Sequence, residues 1–172
     1  MTREPRRRLA AAVAALTALT LLTAPAAQAE SRTLRDPAGD AYGNRLDITR
    51  VRVDNEDRGV RVTISFTQVG KGNAFFSLQD RRTREERIYF ATFRGDDGPE
   101  KVGYLLPEER GRFTCRGLTA RWSPRRDDVT VTIARSCLPT PGTGAVRVIV
   151  GTEPPGGADS DRTRRTSWIE RD

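Results

Sequence analysis

Three aspartates near the start of the chain have a residue type and spacing suited to binding a cation. Asp36, Asp40 and Asp47 precede the first alternating apolar run, and Gly39 and Gly43 lie between them. Calcium takes about six to eight oxygen ligands, and glycine lets a loop fold tightly around an ion. Aspartates also form turns by accepting hydrogen bonds from their own loop, and the spacing is not that of an EF-hand. Calcium binding and turn formation therefore both remain open.

A second acidic pair, Asp159 and Asp161, lies close to the other end of the chain. Two interpretations are open, because these carboxylates either complete a cation site with the early aspartates or belong to a solvated loop. Charged residues in a segment rich in glycine, proline and serine are more often solvated, which favours the loop.

Catalysis has little support in the residue types present. The sequence contains no histidine, which removes the commonest general base and most zinc sites. Glycoside hydrolysis by paired carboxylates is the remaining enzymatic hypothesis, with Glu85 or Glu86 acting beside Asp96 or Asp97. No spacing argument brings two of these groups to a working separation. The sequence therefore favours a protein that binds without catalysis.

Two kinds of ligand surface are compatible with the composition. Tyr42, Trp122 and Trp168 are candidate sugar-binding residues, because large rigid aromatic rings pack on sugar faces; the alternative is that the tryptophans pack in the core.

The stretches DRRTREER, SPRRDD and DRTRR offer arginines to anionic cell-envelope polymers. Each stretch also contains acids, and no aromatic-interleaved nucleic-acid motif is present, so we expect no nucleic-acid partner. An extracellular or cell-wall polysaccharide is the expected partner.

Residues 1–29 have the organisation of a secretory signal peptide. A basic start is followed by an apolar stretch over 9–24 and by Ala27-Gln28-Ala29 before Glu30. The apolar stretch is shorter than the roughly 20 residues of a membrane-spanning helix. We expect cleavage, secretion, no transmembrane segment afterwards, and one domain at 30–172.

The two cysteines, Cys115 and Cys137, both lie in the predicted exported part. An even number of cysteines in an oxidising compartment predicts that they pair. The disulfide would be a structural link and would leave no free thiol for chemistry.

The elements that must position these residues are predicted to be strands. Apolar residues alternate with polar ones at Val60, Val62, Ile64 and Phe66, which is typical of a half-buried strand. Turn residues separate further short runs, while no mature stretch has helical periodicity over two turns. The predicted fold class is all-β, an antiparallel β-sandwich of immunoglobulin-like or jelly-roll-like type with one disulfide, and a barrel is the alternative. Strands are predicted at 48–53, 60–66, 74–78, 88–93, 102–106, 113–122, 129–134, 146–150 and 167–169.

The stretch DPAGD followed by LDITRVRV and GVRVTISF resembles the opening of bacterial secreted modules of the DOMON and carbohydrate-binding family 9 kind. It is also similar to the C-terminal module of glucodextranase. This resemblance implies an antiparallel sandwich, a non-catalytic role and a structural calcium near the first aspartates. The expected function is thus a secreted ligand- or surface-binding module of unidentified ligand; the resemblance implies calcium as its cofactor, and turn formation by the same aspartates stays the alternative.

Overall fold

The computed structural model describes residues 30–41, 46–95, 98–106, 111–140, 142–156 and 161–171. The predicted signal peptide, Tyr42, the pair Asp96 and Asp97, and Asp159 all lie outside these ranges. No helix in the described ranges is long and apolar enough to cross a membrane.

The chain folds into two antiparallel sheets of five strands each, which confirms the predicted all-β sandwich. The first sheet has the order β1-β2-β3-β8-β7 and the second the order β10-β9-β4-β5-β6. The strands are β1 (Glu30–Arg35), β2 (Ile48–Glu56), β3 (Gly59–Phe66), β4 (Gly72–Asp80), β5 (Glu86–Phe93), β6 (Lys101–Leu105), β7 (Leu118–Ser123), β8 (Asp128–Ala134), β9 (Val146–Glu153) and β10 (Asp161–Arg162).

The alternating sequence pattern determines which side of each strand is buried. In β2 and β3, Val51 pairs with Ile64 and Val53 pairs with Val62, and all four side chains face the interior. A side-chain period of two places the intervening arginines and threonines on the opposite, solvent-facing side. The register is therefore specified, since a slip of one residue would bury those polar groups.

The core lies between the two sheets and contains aromatic contacts that join them. Trp122 of the first sheet packs against Phe66 at 5.8 Å and against Phe93 of the second sheet at 5.3 Å between ring centroids. Within the second sheet, Phe76 stacks on Tyr89 at 5.3 Å. Such ring contacts add to the hydrophobic stabilisation from burial of the aliphatic strands.

The predicted disulfide between Cys115 and Cys137 is present, with a Cα–Cα distance of 5.8 Å. It joins the segment that leads into β7 to a 3-10 helix, Arg135–Cys137, that follows β8. The Tyr89 hydroxyl donates a 2.6 Å hydrogen bond to the carbonyl of Cys137. The linked segment is thus anchored to the second sheet as well.

Several strands extend a few residues beyond their predicted bounds, and two predicted strands are much shorter in the structure. The predicted strand at 113–122 begins only at Leu118, because Gly117 has a φ of 95° and breaks the extended conformation; Phe113 forms an isolated bridge with Tyr104 instead. The predicted strand at 167–169 is reduced to one bridge between Ile169 and Val146. The edge strand β1 was not expected, because Leu34 is its only buried side chain and no alternation is visible.

Candidate metal centre and ligand surfaces

The loop after β1 presents the first aspartates at one end of the sandwich. Asp36 directly follows β1, and its backbone N–H donates to the carbonyl of Thr49 at 3.1 Å, which holds the loop against β2. Gly39 has a φ of 90°, a left-handed conformation that glycine adopts without strain. Its N–H donates to Oδ2 of Asp47 at 2.9 Å. Asp47 therefore stabilises the loop by accepting a hydrogen bond from its backbone, as the turn interpretation predicts for aspartates.

Asp161 reaches the same place from the other end of the chain. It begins β10, where it pairs with Thr152 of β9 in the second sheet, and only 5% of it is exposed. Its Oδ2 accepts a 2.6 Å hydrogen bond from the backbone N–H of Ile48 in β2. One carboxylate thus connects an edge strand of the second sheet to the first sheet. The interpretation of this position as a solvated loop is wrong.

Three carboxylates converge at this point. One oxygen each from Asp36, Asp40 and Asp161 lie within 4.8 Å of one another. Asp36 is half-buried and Asp40 is exposed, so the group opens to solvent on one side. Among the described residues, buried Oδ2 of Asp36 and Oδ1 of Asp47 have no hydrogen-bond partner. Oxygens without donors are the atoms that a bound cation would satisfy.

The electrostatics of the group are unfavourable without a positive charge. Burial raises the pKa of Asp36, and the neighbouring carboxylates of Asp161, Asp40 and Asp47 raise it further, while Arg164 opposes them. Burial also raises the pKa of Asp161, with Asp40 and Asp47 adding to this effect against two backbone hydrogen bonds. Like charges at short range disfavour the ionised forms, so a divalent cation would relieve this repulsion.

The arrangement differs in one member from the grouping predicted from the sequence. Asp36 and Asp40 come together as expected, but the third member of the close group is Asp161, whereas Asp47 lies 4% exposed beside it. The signal for Asp161 was only the acidic pair that it forms in sequence with Asp159. Asp161 joins the group because β10 lies beside the loop after β1 in the fold, and the spacing of residues along the sequence does not predict this proximity.

The two tryptophans differ in their availability to a ligand. Trp122 is only 6% exposed and lies between Phe66 and Phe93, so its ring faces are covered by core residues. Trp168 is half-buried, and the guanidinium groups of Arg147 and Arg84 lie over its ring at 4.5 and 5.6 Å from the centroid. The Trp122 indole therefore offers no open face, and the Trp168 indole is half-buried and contacted by two arginines. Tyr42, the third candidate, lies outside the described residues.

The carboxylates considered for hydrolysis are partly described. Glu85 is exposed in the turn before β5. Glu86 begins that strand, and its carboxylate accepts a hydrogen bond from the hydroxyl of Ser77 in β4. Their proposed partners, Asp96 and Asp97, lie outside the described residues. The hydrolase alternative therefore stays a prediction.

The outer faces of the two sheets have different chemistry. Across the first sheet, adjacent strands pair Arg52, Thr63, Thr130 and Arg121 in one polar row. Across the second sheet, the corresponding row is Gly151, Phe75, Phe90 and Gly103, here called the phenylalanine row.

The phenylalanine row is flat because each ring lies over a glycine. A Cβ added at Gly151 would come within 2.6 Å of the Phe75 ring, and one added at Gly103 within 2.7 Å of the Phe90 ring. A groove of about 220 Å³ borders both rings, with Arg112 and Glu153 among its lining residues. The second sheet thus exposes an aromatic surface with charged groups at its border.

Comparison of the chain with protein-family models, with curated proteins and with solved structures gave no match.

Proposed function

We propose that this protein is a secreted, non-catalytic binding module whose sandwich is stabilised by calcium. Asp36, Asp40 and Asp161 would bind the ion, and Asp47 would contribute its charge and shape the loop. The single observation that carries this proposal is the convergence of carboxylates from two distant parts of the chain on one partly open point. The predicted signal peptide at 1–29 supports export.

Calcium suits this group better than other common metals. The available ligands are oxygens only, since the sequence has no histidine and both cysteines are in the disulfide. Oxygen ligands favour calcium or magnesium over zinc and copper. Magnesium needs near-ideal octahedral geometry, whereas calcium accepts irregular sets that include backbone carbonyls and water. Asp36 and Asp40 come from a loop and Asp161 from a strand, so the three carboxylates form an irregular set of this kind.

Calcium would stabilise the fold because its ligands belong to different elements. Asp36 and Asp40 lie in the loop after β1, whereas Asp161 begins β10 in the other sheet. A ligand that binds only the folded state stabilises it by about 2.7 kcal/mol at 100 times its dissociation constant. For a domain of this size that corresponds to a rise in Tm of roughly 8 °C.

Thermal unfolding in calcium, magnesium and chelator tests the proposal. We expect saturating calcium to raise the Tm of the mature protein by roughly 8 °C above its value in chelator, with a smaller effect of magnesium. Asp40→Asn should remove most of this rise without unfolding the protein, because Asp40 is exposed. The matched control is Asp57→Asn, an exposed aspartate in the turn between β2 and β3. An unchanged Tm in millimolar calcium would contradict the proposal.

We also propose a second candidate function, the binding of neutral polysaccharide on the phenylalanine row. Phe75 and Phe90 are adjacent, half-buried rings beside the groove, and because Arg112 lies over the Phe90 ring, Phe75 is the ring whose apolar face would pack on the C–H face of a sugar. Arg112, whose guanidinium lies 5.2 Å from the Phe90 centroid, and Glu153 would supply polar contacts at the border. This face differs from the tryptophan surface predicted from the sequence.

Affinity electrophoresis in gels containing neutral polysaccharides would test this second function. Phe75→Ala should abolish retardation by any glycan that binds the row, since truncation removes a flat contact surface. Thr63→Ala, on the outer face of the first sheet, is the control and should leave retardation unchanged. Equal retardation of both variants would assign the binding to another surface.

A further inference from the structure

A cleft of about 330 Å³ lies between β1 and the segment that follows β10. Three arginines line it, Arg32 from β1 and Arg164 and Arg165 from the later segment. Thr33 and Ser167 belong to the same lining. The cleft is therefore lined by arginines together with hydroxyl-bearing residues, a combination suited to an anion attached to a sugar or polyol.

The positive charges in this cleft are only partly compensated. Arg32 pairs with Glu30 at 2.6 Å. Among the described residues, no carboxylate forms a salt bridge with Arg164 or Arg165. Arg165 instead donates to the neutral amide oxygen of Gln79 at 3.4 Å. Within the described ranges, Arg164 lies near the Asp36 carboxylate without a salt bridge to it, so Arg164 and Arg165 both keep guanidinium donors for an incoming oxyanion.

The basic surface continues beyond the cleft. The amide oxygen of Gln79 also accepts a 2.8 Å hydrogen bond from Arg147, whose guanidinium lies over the ring of Trp168. Arg84 lies over the same ring. Stacking on an indole orients a guanidinium while leaving its edge N–H groups for other partners. Arginines therefore extend from the cleft along the second sheet, which suits a polymer better than a single small anion.

We propose that the cleft and the adjoining arginines bind an extracellular polysaccharide or polyol polymer that carries tetrahedral oxyanions, phosphate or sulfate. A nucleic acid fits less well, because non-specific single-strand binding uses open aromatic faces for base stacking and the ring of Trp168 lies under two guanidinium groups. The inference rests on the proposed function, since Arg164 lies near Asp36 and the carboxylates there would repel a polyanion unless calcium neutralises them.

The test measures binding of the full mature protein to poly(glycerol phosphate), to dextran sulfate and to a single-stranded DNA of matched length. We expect the double variant Arg164→Gln and Arg165→Gln to weaken polymer binding about tenfold or more, since charge-assisted hydrogen bonds are lost. Raising the salt concentration should weaken the wild type more than this variant. The control is Arg50→Gln with Arg121→Gln, which removes the same charge from exposed positions on the first sheet.

The outcomes separate the two proposals. Tighter binding to poly(glycerol phosphate) than to dextran sulfate assigns the oxyanion as phosphate, and the reverse order assigns it as sulfate; both support the inference. No polymer binding, equal losses in both double variants, or tighter binding to DNA would overturn it. The calcium-dependent Tm is read on the same samples, so a polymer that fails to bind leaves the calcium proposal standing if the Tm still rises.

Discussion

Removal of the disulfide between Cys115 and Cys137 should destabilise the protein mainly through its unfolded state. The two cysteines are separated by 22 residues, and the chain-entropy model gives about 3 kcal/mol for closing a loop of this length. Cys137 is fully buried, so replacement by alanine adds a cost of about 1 kcal/mol for the lost sulfur contacts. We therefore expect Cys115→Ala with Cys137→Ala to lower the free energy of unfolding by about 4 kcal/mol.

The native fold should survive this change because other contacts hold the linked segment. The carbonyl of Cys137 accepts hydrogen bonds from the Tyr89 hydroxyl and, at 2.9 Å, from Arg87. The unfolded chain without the cross-link is more expanded, so the urea m-value should rise while the midpoint falls.

Urea denaturation followed by tryptophan fluorescence measures both quantities, since Trp122 is buried between two phenylalanines. Reductant should shift the wild type towards the variant and leave the double variant unchanged. A difference below about 1 kcal/mol between wild type and variant would refute the entropic reasoning.

Two further outcomes follow from the described contacts. In chelator, the free energy of unfolding of Asp161→Asn should increase relative to that of the wild type as the pH rises above 3.8, the ordinary pKa of aspartate. Burial raises the pKa of Asp161 in the folded state, so its ionisation destabilises the native wild type. Urea titrations at several pH values measure this difference, and a difference that does not change with pH would contradict it. Asn55→Ala should lower the free energy of unfolding by about 2 to 4 kcal/mol. The buried amide donates to the carbonyls of Gly144 and Ile169, and each carbonyl would lose this hydrogen bond. A loss under about 1 kcal/mol in urea melts would show that solvent replaces these bonds.

The alternation of apolar residues was sufficient to predict the sandwich and most of its strands. Val60, Val62 and Ile64 are buried as their period requires, and the even cysteine count in a predicted exported chain predicted the disulfide that is present. These features depend on local pattern or on composition. The edge strand β1 escaped prediction because an edge strand with one buried side chain, Leu34, carries almost no periodic signal.

The candidate site was less predictable because it depends on long-range approach. Asp161 joins Asp36 and Asp40 only because β10 and the loop after β1 lie at the same end of the sandwich. The burial of Trp122 was likewise open in the sequence, since an indole on a strand serves equally well as a ligand platform or as a core residue. The phenylalanine row emerges only from the pairing of four strands in register.

The neighbourhood of Glu30 and Glu170 has a consequence for how the domain can be rebuilt. The backbone N–H of Glu170 donates to the side-chain carboxylate of Glu30, so the two ends of the described chain meet. A short linker between them would turn the polypeptide into a nearly closed ring, and the exposed turn at Asp57 and Arg58 would then serve as a place to open it. Circular permutation would present the acidic group on a continuous stretch of chain while keeping every strand pairing.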